Sequence, residues 1–279
     1  MTAASGRLVV VGTPIGNLGD LSPRAREALA AAELVACEDS RRTGRLFNTL
    51  GIPAPRYWVV NEHTEDDVTP GIVDRLLAGT RVVLVSDAGM PAVSDPGSRL
   101  IRAAVERGVE VEVVPGASAV LTALVASGLV SDRFCFEGFL PRRGGQRAER
   151  RAALVGEPRV AVLFEAPHRI RRTVADLAEA LGGERRTAIC RELTKLHEET
   201  WRGTLAEAVE HLASKEPRGE YVLVVEGAER AEPDDAAILA ALDERCGRGG
   251  SRRDVVDDVA AALGVGRRRV YELSLTTDR

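Results

Sequence analysis

Short β-branched runs alternate with helical patterns along most of this 279-residue chain, and small-residue loops follow several of the runs. The clearest example is RVVLV at 81–85, which reads as a buried strand. It leads into SDAGMPAVSDPG and then into SRLIRAAVERG, which has the spacing of a helix. Strand and helix alternation of this kind predicts an α/β domain with a largely parallel sheet.

The alternation continues after a change of composition, which predicts a second α/β unit. That unit extends from RFCFEGF to EYVLVVEG, and the basic segment LPRRGGQRAERR within it is expected to form an exposed loop. After AERAEPDD the remaining sequence contains only helical patterns, two of them around GVG, as in a helix-turn-helix. We therefore expect an α/β domain at 1–117, a second at 118–230 and a small all-α helix-turn-helix domain at 234–279.

Charge and hydropathy exclude several classes of protein. The net charge of −4 and pI of about 5.8 exclude a globally basic nucleic-acid-coating protein, although arginine is distributed unevenly enough for a local basic patch. The N-terminus lacks a charged segment followed by a long apolar core, and no run of eighteen apolar residues occurs. We expect a cytoplasmic protein with no signal peptide and no membrane span.

The cysteines and histidines do not have the spacing of a metal site. The four cysteines include no CxxC pair, and the four histidines include no HExxH motif. We expect reduced, mostly structural thiols and no bound metal.

Four loops at predicted strand ends have the composition of ligand-binding loops: GTPIGNLGD, CEDSRRT, SDAGMPAVSDPG and PGASAV. In a parallel sheet the ligand crevice lies beyond the carboxyl ends of the strands, and small residues let backbone approach a ligand closely. Asp87 and Asp95 add carboxylates that suit a ribose hydroxyl or an amino group. Because GxGxxG and GxxxxGK[ST] are absent, a nucleoside-like ligand without a triphosphate fits better than ATP.

Nine motifs in order carry a family resemblance. They are GTPIGNLGDLSPRA, ACEDSRRTGRL, NEHTEDD, VSDAGMPAVSDPG, PGASAVLTALVASGL, FEGFLPR, LFEAPHRI, CRELTKLHEE and GEYVLVVEG. Over residues 7–228 the chain resembles the rRNA-modifying members of the tetrapyrrole-methylase-like (class III) methyltransferases. The resemblance implies two α/β domains with S-adenosylmethionine in the cleft between them, and a homodimer. It also implies methylation of a cytidine ribose 2′-hydroxyl in the decoding centre of 16S rRNA, with the assembled small subunit as the expected substrate.

The resemblance also implies which residues contact the cofactor. By motif, the expected cofactor-binding residues are Pro14, Ile15, Asp87, Gly89, Met90, Ser118, Ala119, Phe164, Cys190 and Glu220.

Methyl transfer to a hydroxyl needs alignment of the reactants and a group that takes the hydroxyl proton. Glu38 and Asp39 are the favoured catalytic residues, and the residues alone leave Glu62, His63, Glu192 and Lys195 open. Arginine forks bind phosphate and stack on exposed bases. The expected substrate-binding residues are Arg41, Arg42, Arg142, Arg143 and Arg147.

Two other functions are compatible with the pattern. A methyltransferase of the same fold could act on a small molecule such as a tetrapyrrole. Alternatively, the chain could be a nucleic-acid-binding regulator that uses its C-terminal helices, although the small-residue strand ends of two α/β domains would then have no role.

Overall fold

The computed structural model describes residues 6–53, 55–229, 233–246 and 251–276. The chain divides into two compact units, one extending to Ala228 and the other beginning at Glu229. Each unit has its own hydrophobic core.

A parallel sheet forms the first half of the larger unit. Among the described residues it has five strands in the order β3-β2-β4-β1-β5. They are β1 Arg7–Val11, β2 Leu34–Cys37, β3 Arg56–Val59, β4 Val82–Val85 and β5 Glu110–Val114. β2 and β4 are buried on both faces, as their continuous apolar sequences predict. Their carboxyl ends lie on one edge of the sheet, because every pairing is parallel.

Helices cover both faces of this sheet. They are a 3₁₀ turn Leu18–Asp20, α1 Pro23–Ala30, α2 Ser40–Leu50, α3 Glu65–Leu77 and α4 Ser98–Glu106. α1 and α2 pack on one face, and α3 and α4 on the other. Ser22 caps α1 by accepting a hydrogen bond from the Ala25 amide, and Pro23 occupies the first turn, where its missing N–H costs nothing. α3 begins at Glu65 and contains Pro70 within its second turn.

A mixed sheet forms the second half of the larger unit. Within the described residues its strand order is β6-β7-β10-β8-β9, and only β6 and β7 pair in parallel. The strands are β6 Phe134–Phe139, β7 Val160–Glu165, β8 Arg186–Arg191, β9 Glu199–Thr204 and β10 Tyr221–Val225. Helix α5, Ala119–Ser127, packs on one face of this sheet. The opposite face is covered by α6 Gly145–Val155, α7 Ile170–Leu181 and α8 Leu205–Ala213.

Helix α6 corrects the expectation that LPRRGGQRAERR is wholly an exposed loop. The loop ends at Gly144, whose φ of +83° suits glycine, and the helix begins at the next residue. Arg147 and Leu154 face the protein interior and anchor a helix whose other residues are mostly exposed.

The smaller unit is helical: α9 Asp235–Cys246, α10 Arg252–Leu263 and α11 Arg267–Ser274. Ile238, Leu242, Val256, Val259 and Val270 form its core. A left-handed Gly264 ends α10 close to the start of α11, which gives the short turn of a helix-turn-helix. Within the described residues, no helix combines the length and the apolar character that crossing a bilayer requires.

Candidate active site

Three of the predicted loops meet at the carboxyl edge of the parallel sheet. Thr13 and Gly89 exchange two backbone hydrogen bonds of 2.9 and 3.1 Å, which join the loop after β1 to the loop after β4. Gly12 and Gly116 bring the loops after β1 and β5 together. A Cβ on Gly116 would lie 2.6 Å from the carbonyl carbon of Gly12, so this approach needs glycine at both positions.

A cavity of about 310 Å³ lies between this edge and the second sheet. From the first half it is lined by Ile15, Ala88, Gly89, Met90, Val93, Ser94 and Asp95. From α5 and the second sheet it is lined by Ser118, Ala119, Val120, Phe139, Phe164, Glu165, Ala166, Pro167, Glu220, Tyr221 and Val222. Its size and mainly apolar wall are those of a small-molecule site.

Most residues that the sequence assigns to the cofactor lie around this cavity. Ile15, Gly89, Met90, Ser118, Ala119, Phe164 and Glu220 line it. Pro14 and Asp87 are neighbours of lining residues in sequence but do not line the cavity themselves.

Cys190 lies away from the cavity wall. Its side chain is fully buried in the core beneath α5, with Sγ 3.9 Å from the carbonyl oxygen of Ala123. Burial raises the pKa of this thiol. Its position is that of a structural cysteine and corrects the expectation that it contacts the cofactor.

Glu38 and Asp87 form a carboxylate pair beside the cavity. The backbone amide of Asp87 donates to Glu38 Oε2 at 3.4 Å, and Asp87 also pairs with Arg42 at 3.3 Å. Burial, followed by the charge of Asp87, raises the pKa of Glu38. A carboxylate with a raised pKa accepts a proton more readily near neutral pH.

Asp39 has the opposite electrostatic environment. It caps α2, accepting from the Arg41 amide at 2.8 Å, and its carboxylate also pairs with the Arg41 guanidinium at 3.0 Å. These hydrogen bonds lower the pKa of Asp39 to about 2. Such a carboxylate is a weak base, so the structure separates the two favoured catalytic candidates.

Asp95, which is expected from the sequence to face a ribose hydroxyl or an amino group, lines the cavity. Burial raises the pKa of Asp95 to about 6, with the charges of Glu38 and Asp87 adding to the effect. Ala92 and Ser94, with φ of +67° and +61°, hold the preceding backbone in a conformation rare for residues with a side chain. Strained backbone of this kind concentrates at functional sites.

The segment CRELTKLHEE links the two halves at the edge of the cavity. Lys195 pairs with Glu192 at 2.8 Å and with the cavity residue Glu220 at 2.9 Å. Thr194 Oγ1 accepts from the backbone amide of Asn17 at 3.1 Å. Lys195 and Glu192 are thus joined to the cavity residue Glu220 by ion pairs and do not themselves line the cavity.

The five arginines assigned to substrate fall into three environments. Arg41 and Arg42 are exposed and pair with Asp39 and Asp87. Arg142 and Arg143 are exposed, and no carboxylate among the described residues pairs with them.

Arg147, in contrast, is only 5% exposed. It binds Asp176 at 2.8 Å, the hydroxyl of Thr173 at 3.0 Å and the carbonyl of Pro141 at 3.0 Å. This placement corrects the expectation that Arg147 contacts phosphate, since its donors are used within the protein.

Comparison with known proteins agrees with this fold. The family described as Tetrapyrrole (Corrin/Porphyrin) Methylases matches residues 7–209. Uroporphyrin-III C-methyltransferase from Thermus thermophilus, solved with S-adenyl homocysteine, has the same fold, with a TM-score of 0.57 at 22% identity. The match covers 79% of this chain and 97% of that one.

Two bacterial proteins named ribosomal RNA small subunit methyltransferase I match almost end to end. The one from Synechocystis sp. is 41% identical over 273 residues, 97% of this chain and 98% of the relative. The one from Mycobacterium bovis is 42% identical over 278 residues, 99% of this chain and 97% of the relative. The chain therefore belongs to the tetrapyrrole (corrin/porphyrin) methylases, a family of S-adenosylmethionine-dependent methyltransferases, and within it to the ribosomal RNA small subunit methyltransferase I group.

Proposed function

We propose that this protein transfers a methyl group from S-adenosylmethionine to the ribose 2′-hydroxyl of a cytidine in the decoding centre of 16S rRNA. The assignment of rRNA as the substrate rests on one observation: the chain is 41–42% identical, over nearly its full length, to proteins named ribosomal RNA small subunit methyltransferase I. The choice of atom and nucleotide rests on the motif resemblance described above and is part of the proposal.

The cavity residues fit S-adenosylmethionine chemically. The apolar wall formed by Ile15, Met90 and Phe164 suits an adenine ring and a methionine chain, and Asp95 and Glu220 supply carboxylates for hydroxyl or amino groups. In addition, the hydroxyl of Thr13, buried at the joint between the first two loops, has no hydrogen-bond partner in the described structure. An unpartnered buried hydroxyl at this position favours a polar ligand group nearby.

The protein's part in the reaction is alignment and proton removal. When bound, S-adenosylmethionine supplies a methyl group already activated by its sulfonium. We place the base for the 2′-hydroxyl proton among the raised-pKa carboxylates, Glu38 and Asp95. Glu38 lies beside the cavity and Asp95 lines it, whereas the low pKa and Arg41 pairing of Asp39 favour a capping role.

Exposed arginines supply the phosphate contacts in this proposal. Arg142 and Arg143 lie in the loop after β6, the strand that ends at the cavity with Phe139. Arginine at such a position can bind RNA phosphate bidentately despite the acidic pI of the whole chain.

We further propose that the active protein is a homodimer assembled through α5. Leu121 and Val125 are 52% and 69% exposed, and their i, i+4 spacing places them on one face of that helix. Val130, which follows the helix, is 64% exposed. A second copy packing around a two-fold axis would cover these side chains on both protomers. Val125→Asp should convert the dimer to a monomer in light-scattering measurements.

A three-substrate assay tests the function. Labelled S-adenosylmethionine is offered with assembled small subunits lacking the modification, with naked 16S rRNA and with a tetrapyrrole precursor. The proposal expects label in subunit RNA, and label in the tetrapyrrole alone would support a small-molecule methyltransferase instead. A variant lacking residues 234–279 should keep S-adenosylmethionine binding and lose mainly RNA affinity, whereas a helix-turn-helix regulator would lose its whole function.

A further inference from the structure

An extra residue in β6 reverses the face of the second sheet to which the side chain of Phe139 points. The register with β7 pairs Phe136 with Val162 and then Gly138 with Leu163, so Glu137 is left over as a bulge. Phe139 consequently pairs with Phe164. Paired residues in neighbouring parallel strands point to the same face, and Phe164 points to the α5 and cavity face.

Without the bulge, strict alternation would turn Phe139 to the other face, toward the core beneath α6, α7 and α8. Gly138 makes the bulge possible, since its φ is +61° and a Cβ there would lie 3.0 Å from Ser94 Oγ. Bulges beside active sites commonly redirect a side chain. The one in β6 moves a phenylalanine from a core position to the cavity.

At the cavity, Phe139 is a firmly supported but open aromatic ring. It contacts Phe164 edge to face, with ring centroids 5.7 Å apart, and Phe136 contacts Phe164 in the same way at 4.9 Å. Phe139 is nevertheless 51% exposed, whereas Phe164 behind it is more buried. A large aromatic side chain left half exposed beside a cavity has a free face for a planar ligand group.

We propose that Phe139 is the stacking platform for a nucleobase of the substrate RNA and positions the target nucleotide for methylation. The inference rests on the proposed function and extends it to a residue outside the predicted site. Unpaired bases in RNA are commonly recognised by stacking on aromatic side chains. Every base has a π face, so Phe139 contributes affinity and position and does not select cytosine.

The adenine of S-adenosylmethionine offers the same stacking chemistry, but the surroundings favour RNA. Phe139 is the outer, exposed member of its aromatic cluster, and the more buried Phe164 is the better wall for an enclosed cofactor. Arg142 and Arg143 follow within four residues, and three residues of chain span at most about 11 Å. A base on Phe139 would therefore have phosphate-binding arginines close to its own backbone.

The test compares Phe139→Ala and Phe139→Tyr with wild type and with Leu77→Ala. Leu77 is an exposed apolar residue on α3 that does not line the cavity, so it controls for loss of surface apolar area. Three quantities are measured for each full-length protein: thermal stability, S-adenosylmethionine affinity by calorimetry, and kcat and KM for methyl transfer to small subunits that lack the modification.

We expect Phe139→Ala to lower kcat/KM for the subunit by about 5- to 150-fold, the range for loss of one base–aromatic stack. Its cofactor affinity should match wild type, Phe139→Tyr should retain activity, and Leu77→Ala should be unaffected. An unchanged kcat/KM in Phe139→Ala would overturn the inference, as would a loss of cofactor affinity by the same factor. If the wild-type protein itself failed to methylate the subunit RNA, that result would contradict the proposed function and therefore also this inference.

Discussion

The carboxylate of Glu65 accepts a hydrogen bond from the backbone amide of Gly97 at 3.1 Å. The same oxygen accepts from the amides of Arg99 and Leu100, at 2.8 and 3.2 Å. Glu65 is buried at the start of α3 and thus caps α4, whose N-terminus ends the loop that lines the cavity. A carboxylate at a helix N-terminus satisfies free amides and complements the helix dipole.

Glu65→Gln should therefore destabilise the protein by about 1–3 kcal/mol, because buried amides lose a charged acceptor. The loop from Asp87 to Gly97 would lose part of its anchor, so S-adenosylmethionine affinity should fall as well. Chemical denaturation and calorimetry measure the two effects. Asp67→Asn, an exposed change in the same helical turn, is the matched control for the charge at the start of α3; it should change stability by less than about 1 kcal/mol and leave the affinity unaltered. Equal stability of the two variants would show that the cap contributes nothing.

Asp95 should make stability depend on pH. Burial raises the pKa of its carboxyl to about 6 in the folded protein, from 3.8. Because the folded state favours the protonated form, this group stabilises the fold below about pH 4, and that contribution is lost as pH rises through about 6. In Asp95→Asn the dependence is absent, so the variant should gain thermal stability relative to wild type between pH 4 and pH 8. A Tm difference between Asp95→Asn and wild type that stays constant over that interval would contradict the buried environment of Asp95. The exposed change Asp20→Asn serves as the control.

The backbones of Gly12 and Gly116 lie so close together that neither position should accommodate a side chain. Gly116→Ala places a Cβ 2.6 Å from the backbone of Gly12, and the required shift should cost about 1–3 kcal/mol and weaken cofactor binding. Gly44→Ala is the control, since nothing lies within 4 Å of a Cβ there and the residue is inside α2. That change should stabilise by about 0.5–1 kcal/mol. A harmless Gly116→Ala would mean that the two loops can separate without loss.

Substitution of Arg147 and of Arg143 should affect different properties, stability in one case and RNA binding in the other, although the two residues are only four positions apart. Arg147→Ala leaves Asp176 without its closest partner in a mostly buried network and should cost about 3–5 kcal/mol in unfolding free energy. Arg143→Ala should change stability by less than about 0.5 kcal/mol. Its effect should instead appear as weaker RNA binding with a salt dependence reduced by about one charge. Similar melting temperatures for both variants would contradict the buried role of Arg147.

Local sequence patterns predicted much of the α/β architecture. The RVVLV run identified the buried strand β4, and the spacing in SRLIRAAVERG identified the helix α4. The four small-residue loops were predicted at one edge because carboxyl ends of parallel strands share an edge. Three of those loops, represented by Ile15, Gly89 and Ser118, line the cavity.

What escaped prediction depends on contacts between residues distant in sequence. Glu65 caps a helix more than thirty residues away, and Arg147 is buried by partners on α7. The bulge in β6 is visible only in the pairing with β7, although a glycine inside the strand sequence, Gly138, was a usable signal. Asp39 and Glu38 are adjacent in sequence, yet their opposite pKa shifts come from Arg41 in one case and from burial in the other.

Identification of the methylated atom distinguishes ribose 2′-O-methylation from methylation of a base. Small subunits lacking the modification are incubated with the protein and labelled S-adenosylmethionine, and the rRNA fragment that contains the decoding centre is isolated and then digested to nucleosides for mass spectrometry. Our account predicts that the label is recovered as 2′-O-methylcytidine from the decoding centre, and that Glu38→Gln and Asp95→Asn yield less of it. Label on a base, or no label despite intact cofactor binding, would contradict the assignment of this protein as a ribose 2′-O-methyltransferase.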